Sequence, residues 1–117
     1  MNINIKGTNI ELTEAIKNYA EEKISSLNKF FDNIQTADID VGMNSHHHQK
    51  GDIFYAEVNL SVPGKLLRVV KEEPDLYKAI DKVKDHLKVE LEKMKEKMRA
   101  KDKKVLRSEK EYQENPL

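Results

Sequence analysis

The amino-acid sequence predicts an α+β fold in which a four-stranded sheet carries two helices packed on one face, in the order β-α-β-β-β-α. Four segments predict strands because polar and apolar residues alternate along them, and two segments predict helices because apolar residues recur every three or four positions. Each helix has a single apolar stripe and therefore one surface to bury. We expect both helices to pack on the same face of the sheet, with the other face left to water.

The start of the chain predicts one strand followed by one helix. Residues 2–6 alternate in polarity and are followed by Gly7, which is typical of a short strand and its end. Thr13 can accept a hydrogen bond from the amides of a first helical turn, and apolar residues recur at helical spacing from Ile16 to Phe31. The sequence therefore predicts a helix over about 13–31.

Three further strands are predicted in the middle of the chain. Polarity alternates over 37–43 and 54–62, and the polar run 45–51 between them predicts a hairpin loop. Pro63-Gly64 predicts a tight turn into a last strand at 65–71. Such short connections predict an antiparallel meander. The positions expected to face water are Asp38, Asp40, Tyr55, Glu57 and Asn59.

A long amphipathic helix is predicted from Leu76 onward, with Asp75 as its N-cap. Apolar residues fall at positions 76, 80, 83, 87, 91, 94 and 98, which form one stripe on a helix of 3.6 residues per turn. Basic residues border this stripe on both sides. One flank carries Lys84, Lys88, Lys95 and Arg99, and the other carries Lys78, Lys82, Lys93 and Lys97.

The length and composition of the chain restrict its organisation and its location. Its 117 residues suit one domain, which we place at 1–104, followed by a disordered polar tail at 105–117. The absence of cysteine excludes disulfides, thiolate metal sites and a cysteine nucleophile. The sequence has no signal peptide and no apolar run of the ~18 residues that a membrane span needs, so we expect a cytoplasmic protein without a membrane partner.

The formal net charge of zero conceals a polarised chain. Residues 1–75 carry 8 basic and 12 acidic side chains, whereas residues 76–107 carry 12 basic and 6 acidic side chains. The basic residues are densest between Lys93 and Arg107. Such a block attracts phosphate backbones, although lysine-rich helix ends are also common for their favourable interaction with the helix dipole.

The sequence predicts no catalytic centre, metal site or cofactor. Of the triplet His46-His47-His48, only the first and third could converge in an extended hairpin, and no acidic or cysteine partner lies at ligand spacing. We interpret the triplet as a polar loop. A glycine-rich phosphate loop and a nucleophile with an identifiable base are both missing, so we expect a protein that is not an enzyme.

Four short segments are distinctive: Asn-Ile-Asn-Ile at 2–5, Leu-Thr-Glu-Ala-Ile-Lys at 12–17, Phe-Phe-Asp at 30–32 and Asp-Leu-Tyr-Lys-Ala-Ile-Asp at 75–81. They resemble the ribosome hibernation promoting factors and ribosome-associated inhibitors of stationary-phase bacteria, and the resemblance covers about residues 1–97. The last string is similar to a signature of that family. The resemblance implies the same β-α-β-β-β-α fold.

The resemblance also implies a function, namely stress-related inhibition of translation by ribosome hibernation. Members of the family bind the decoding region of the small ribosomal subunit (16S rRNA), overlap the messenger and transfer RNA sites, and reversibly inhibit translation. Matching the family's basic positions to this sequence gives Lys17, Lys23, Lys29, Lys93 and Lys97 as rRNA-binding residues. Ser26, His86 and Val89 stand where basic residues are usual in the family. Further candidates that could compensate are Lys82, Lys84, Lys88, Lys95 and Arg99.

These residues are expected to act through charge, and the two parallel helices to align their basic edges in one surface. Lysine and arginine bind structured RNA mainly through its phosphates and riboses. We expect a free protein that is monomeric and has no DNA partner. Two alternatives stay open: a module in which the second helix associates as a coiled coil, and a general double-stranded-RNA-binding domain, whose layout is similar. Whether the chain is a complete short form or the first part of a long form is also open.

Overall fold

A computed structural model of the protein describes residues 1–44 and 51–114, with side chains described as far as Ala100. The sheet consists of β1 (Asn2–Thr8), β2 (Thr36–Asn44), β3 (Ile53–Val62) and β4 (Lys65–Glu73). The helices are α1 (Glu14–Ser25), which continues as a 3₁₀ segment (Ser26–Lys29), and α2 (Leu76–Glu114). The predicted order β-α-β-β-β-α is confirmed.

The four strands form one mixed sheet in the order β1-β2-β3-β4. Strand β1 is parallel to β2, with Ile5 opposite Ile39. The pairing is parallel because α1 carries the chain back along the sheet, so that β2 starts beside the first residue of β1. The pairs β2–β3 and β3–β4 are antiparallel, with Val58 opposite both Ile39 and Val69. The antiparallel meander predicted from the short connections is therefore confirmed.

One hydrophobic core lies between the sheet and the two helices. Ile24 and Leu27 from the α1 region and Leu87 and Leu91 from α2 are fully buried against the inward side chains of the strands, such as Leu60. Burial of a leucine or isoleucine side chain stabilises the fold by about 1.5–3 kcal/mol relative to an exposed one. The apolar stripes predicted for both helices are thus used to cover one sheet face.

Both helices begin where their capping residues were predicted. Thr13 Oγ1 accepts a hydrogen bond of 3.2 Å from the amide of Ile16, and Asp75 Oδ1 accepts one of 2.9 Å from the amide of Tyr77. The α1 helix ends earlier than predicted: its regular part stops at Ser25. The hydroxyl groups of Ser25 and Ser26 donate to the carbonyls of the preceding turn, and the chain tightens into the 3₁₀ segment there.

Helix α2 extends ten residues past the predicted end of the domain at 104, because it continues through Glu114. The sequence predicts a disordered tail over 105–117, whereas the structure has helix over 105–114. The helix persists because no glycine or proline occurs between Leu76 and Asn115, and lysine, arginine, glutamate and glutamine all favour helix. Residues 115–117 lie outside the described residues, and the division of the chain at 104 stays a prediction.

The uncovered face of the sheet is polar and internally hydrogen-bonded over β1 to β3, whereas β4 adds the exposed Leu66 and Val70. Asp40 accepts hydrogen bonds from the hydroxyls of Thr8 (2.8 Å) and Tyr55 (3.2 Å). The ring of Tyr55 lies over its cross-strand neighbour Gly42, where an added Cβ would stand only 2.6 Å from the ring. Gly42 therefore makes room for the aromatic side chain that ties two strands together on this face.

Within the described part of the chain, no helix is long and apolar enough to cross a membrane.

Candidate nucleic-acid interface

The two helices run in parallel and meet along a seam that begins with two tyrosines. The rings of Tyr19 on α1 and Tyr77 on α2 contact each other edge to face, with centroids 4.9 Å apart and planes at 85°. One turn further along, the hydroxyl of Tyr19 donates a hydrogen bond of 2.6 Å to Oδ1 of Asp81. The ammonium of Lys23 lies 3.9 Å from the same oxygen and 5.4 Å from the centre of the Tyr19 ring. Asp81 thus joins a phenol and a lysine of α1 to α2.

The hydrogen bond to Asp81 raises the pKa of Tyr19 to about 12, and partial desolvation and nearby carboxylates contribute to the shift. Loss of the phenol proton would place two negative charges side by side. Tyr19 is therefore a neutral donor at any physiological pH, and the seam is held by a fixed hydrogen bond at this end.

The far end of the seam combines an aromatic ring with several cations. The ammonium of Lys88 lies 4.8 Å above the centre of the half-buried Phe30 ring, which is a cation–π contact. Beside it opens a cleft of about 260 Å³, which we call the Phe30 cleft. Its lining residues are Lys29, Phe30, Glu92, Lys95, Glu96 and Arg99.

Six of the ten sequence-predicted rRNA-binding residues lie along this seam. Lys23 contacts Asp81, Lys88 covers Phe30, and Lys29, Lys95 and Arg99 border the Phe30 cleft. Lys84 is half-buried and stands about 40° around the α2 axis from Lys88, so it belongs to the same flank. We call Lys84, Lys88, Lys95 and Arg99 the α1-side flank of α2.

The other four predicted residues lie elsewhere. Lys82 forms an ion pair with Glu73 of β4, which fixes the opposite flank of α2 toward the edge of the sheet. Helical geometry places Lys93 and Lys97 about 140° and 180° around the axis from Lys88. Together Lys82, Lys93 and Lys97 form the β4-side flank. Lys17 is separated from Tyr19 by about 160° around α1 and so faces away from the seam.

The ten candidate residues therefore do not share one face of the molecule, and which of them bind rRNA stays a prediction. The rotation of 100° per residue separates the two basic flanks of α2 around its axis. Contacts with α1 and with β4 then determine which neighbour each flank lies against. Lys93 and Lys97, the α2 residues matched through the family resemblance, lie on the flank away from α1, whereas the four α1-side residues extend the seam. The ten residues thus form two basic edges and one outlying lysine.

Carboxylates near these cations form weak pairs. Lys93 lies 3.8 Å from Glu90, and Lys84 lies 3.6 Å from Asp85; both lysines and carboxylates reach water. Exposed pairs of this kind contribute about 0–1 kcal/mol, so the ammonium groups can exchange a carboxylate for a phosphate at little cost.

The three departures from the resembling family each reduce positive charge at a distinct place. His86 lies 3.6 Å from Glu90 on the outer part of α2, Val89 is 46 % exposed nearby, and the hydroxyl of Ser26 donates to the carbonyl of Lys23. Only Ser26 lies on the α1 side of the molecule. The loss of basic residues at 86 and 89 therefore affects α2 away from the seam.

No group of three or more histidine, cysteine, aspartate or glutamate side chains converges within the described part of the chain. The triplet His46-His47-His48 lies outside the described residues, and its interpretation as a polar loop stays a prediction.

Two features of the seam were not identified as functional from the sequence. Periodicity places Asp81 among the lysines of α2, but its hydrogen-bond partner Tyr19 lies 62 positions earlier. Phe30 carries a local signal, since it is an aromatic residue next to Lys29 at the end of a predicted helix. Its juxtaposition with Arg99 depends on how the helices pack.

Comparison with protein families matches residues 3–99 to the family described as "Sigma 54 modulation protein / S30EA ribosomal protein". Curated relatives include the ribosome hibernation promotion factors of Deinococcus radiodurans and Bacillus subtilis. The first is 36 % identical over 96 residues, which are 78 % of this chain and 47 % of the relative. The second is 34 % identical over 101 residues, which are 86 % of this chain and 52 % of the relative. The chain thus spans about half the length of these relatives.

The fold is also similar to that of a solved structure. The N-terminal domain of Protein Y from Thermus thermophilus superimposes with a TM-score of 0.70 at 33 % sequence identity, covering 80 % of this chain and 99 % of that domain.

Proposed function

Since the chain belongs to the sigma 54 modulation protein / S30EA ribosomal protein family, we propose that it is a ribosome hibernation factor that binds the small ribosomal subunit and inhibits translation. Its binding place is the decoding region, where it overlaps the sites of messenger and transfer RNA on 16S rRNA. The family is not enzymatic, and inhibition follows from occupancy, which is reversible when the protein dissociates.

The observation that carries the proposal is the family match over residues 3–99, which includes α1, α2 as far as Arg99 and the seam between them. The relatives' name, ribosome hibernation promotion factor, supplies the biological process. The chemistry of α2 supports the RNA partner, because lysine and arginine on an exposed helix bind phosphates without reading sequence.

The proposal also explains the separation of charge in the molecule. The uncovered sheet face carries Asp38, Asp40 and Glu57 together with Lys6 and Arg68, whereas basic residues outnumber acidic ones two to one over residues 76–107. An RNA surface therefore attracts the helix side more strongly than the sheet face, so the charge distribution orients the protein as it approaches. We therefore propose that the helices face 16S rRNA.

The free protein in this proposal is a cytoplasmic monomer without a DNA or membrane partner. The coiled-coil alternative needs the apolar stripe of α2 for association. Val83, Leu87 and Leu91 are fully buried beneath the domain's own sheet and helix, so this part of the stripe is already used. Among the residues whose side chains are described, only Met98, which is 54 % exposed, extends the stripe beyond the core.

Cosedimentation of the full chain with isolated small subunits across a salt series tests the proposal. We expect binding that weakens steeply with salt, because each phosphate contact adds about 0.7–0.9 to the slope of log affinity against log salt. A cell-free translation assay at the same protein concentrations should show inhibition that disappears on dilution. Absence of binding at low salt, or inhibition without binding, would contradict the proposed function.

A further inference from the structure

We propose that the Phe30 cleft binds one unpaired RNA nucleotide, with its base stacked on Phe30 and its phosphate held by the cations around the ring. This inference rests on the proposed function, because it names one contact within the RNA that the protein occupies. It differs from the phosphate contacts proposed above in that a base, and not only the backbone, is recognised.

The lining of the cleft contains three kinds of chemistry that a nucleotide uses together. Phe30 offers an aromatic surface, and every nucleobase can stack on such a surface. Lys29, Lys95 and Arg99 supply positive charge for a phosphate. A bare phosphate site would gain nothing from an aromatic ring, whereas an unpaired nucleotide engages both parts of the lining.

The two carboxylates in the cleft also distinguish a nucleotide from a phosphate ion. Glu92 and Glu96 would repel an anion that approached alone. They can accept hydrogen bonds from the exocyclic amino groups of adenine, cytosine or guanine. Uracil has no such amino group and offers only its ring N3–H to one carboxylate, so the cleft should prefer the other three bases.

The ring is ordered before any ligand arrives. Phe30 follows the 3₁₀ segment and packs against the core while remaining half-exposed. The Lys88 ammonium occupies one side of the ring at 4.8 Å, so a base would stack on the part of the ring that lines the Phe30 cleft, of which Lys88 is not a lining residue. Because the ring and α2 are already positioned, stacking of a base costs little additional ordering. Paired RNA cannot use this contact, since its bases are stacked within the duplex.

The experiment compares the full-length wild type with Phe30→Leu, Phe30→Tyr and Phe54→Leu. Leucine at 30 keeps an apolar side chain but removes the ring, and tyrosine restores it. Phe54→Leu is the matched control, because Phe54 is another half-buried phenylalanine on the edge of the core, on β3. All variants are first checked for a native circular dichroism spectrum and a cooperative melt.

Two RNA probes are used: isolated small subunits, and a short single-stranded oligoadenylate with one fluorescent 2-aminopurine base. For Phe30→Leu we expect an affinity at least about fivefold lower for both probes, with an unchanged salt slope because no charge is removed. Phe30→Tyr and Phe54→Leu should bind like the wild type. The wild type should quench the aminopurine fluorescence, and oligouridylate should compete poorly.

The outcomes separate the inference from the proposed function. If the wild type binds subunits and Phe30→Leu binds both probes equally well, the inference is wrong and the proposed function stands. If quenching depends on Phe30 but subunits are not bound, the inference stands and the proposed function is wrong. If inorganic phosphate at matched ionic strength displaces the oligoadenylate equally from the wild type and from Phe30→Leu, and both bind it with equal affinity, the cleft is a phosphate site, and the inference is wrong. A wild type that binds neither probe contradicts both.

Discussion

The hydroxyl of Tyr19 lies 2.6 Å from Oδ1 of Asp81 and joins the two helices across 62 positions of sequence. The same carboxylate faces the ammonium of Lys23. One residue of α2 therefore sets the position of two side chains on α1, at the start of the basic seam.

Replacement of Tyr19 by phenylalanine should destabilise the fold by about 1–2 kcal/mol, because it removes a hydrogen bond to a charged acceptor that stays partly solvated. Urea unfolding monitored by circular dichroism gives the free energy of unfolding. Tyr77→Phe is the matched control, since within the described residues its hydroxyl makes no hydrogen bond while its ring contacts Tyr19. Equal losses in both variants would show that the Tyr19 hydroxyl contributes nothing specific.

The raised pKa of Tyr19 predicts a loss of stability in alkali. In the folded state this pKa is about 12, against an ordinary value of 10.0. The neutral phenol is favoured by folding, so its contribution to stability is fully present below pH 10 and is lost as the pH rises toward 12. The difference in unfolding free energy between wild type and Tyr19→Phe should shrink over this interval. Absorbance titration of the phenolates gives an independent reading, and a pKa of Tyr19 near 10 would contradict the prediction.

The lowered pKa of Glu57, on the open face of the sheet, predicts a loss of stability in acid. The hydrogen bond of 3.0 Å from Arg68 lowers the pKa of Glu57 below its ordinary value of 4.5, and Asn59 adds a second donor. Folding therefore favours the carboxylate, whose contribution is present above pH 4.5 and is lost as the pH falls through the lowered pKa. Glu57→Gln should unfold with a weaker dependence on pH between neutrality and acid. If the unfolding free energies of Glu57→Gln and the wild type depend on pH in the same way, this carboxylate is not stabilised in the folded state.

Gly42→Ala should destabilise the sheet, because the added Cβ would meet the carbonyl oxygen of Thr8 at 2.5 Å and the Tyr55 ring at 2.6 Å. The ring can rotate away, but the backbone carbonyl cannot move without disturbing the β1–β2 pairing. Overpacking of this kind costs about 1–3 kcal/mol. Gly7→Ala is the control, since its nearest contact would be 3.2 Å from the Leu12 Cβ, and it should cost less. Thermal melts of both variants give the loss of stability as a lower melting temperature. If Gly42→Ala melts at the same temperature as the wild type, β1 can move away from the added methyl group without loss of stability.

The element order and the helix starts could be predicted from the sequence because their signals are local. Strand alternation and the caps at Thr13 and Asp75 each depend on a few neighbouring residues. The end of α1 was harder, since it depends on serine hydroxyls that compete for backbone carbonyls. Helix α2 is longer than predicted because polarity was interpreted as disorder, although its lysines and glutamates favour helix.

The arrangement of the candidate site could be predicted only in part. Periodicity separates the two basic flanks of α2 but contains no information on which neighbour each flank meets. That choice depends on the contacts of Asp81 with Tyr19 and of Lys82 with Glu73, which join distant parts of the chain. The Phe30 cleft forms for the same reason, at the place where the end of α1 meets α2.

The separation of the flanks leads to the last prediction, which asks which edge of α2 meets 16S rRNA. Two triple variants with equal loss of charge are compared: Lys88, Lys95 and Arg99 to glutamine, and Lys82, Lys93 and Lys97 to glutamine. If the seam is the contact surface, the first variant should lower the salt slope of small-subunit binding by about 2–3, since each lost phosphate contact removes about 0.7–0.9.

The second variant should change the affinity for small subunits only through the reduced net charge. Its matched charge makes it the control for non-specific attraction, and circular dichroism checks that both variants remain folded. If the second variant loses more affinity and slope than the first, the RNA contacts the β4-side flank, and the matched positions Lys93 and Lys97 are the residues that bind it.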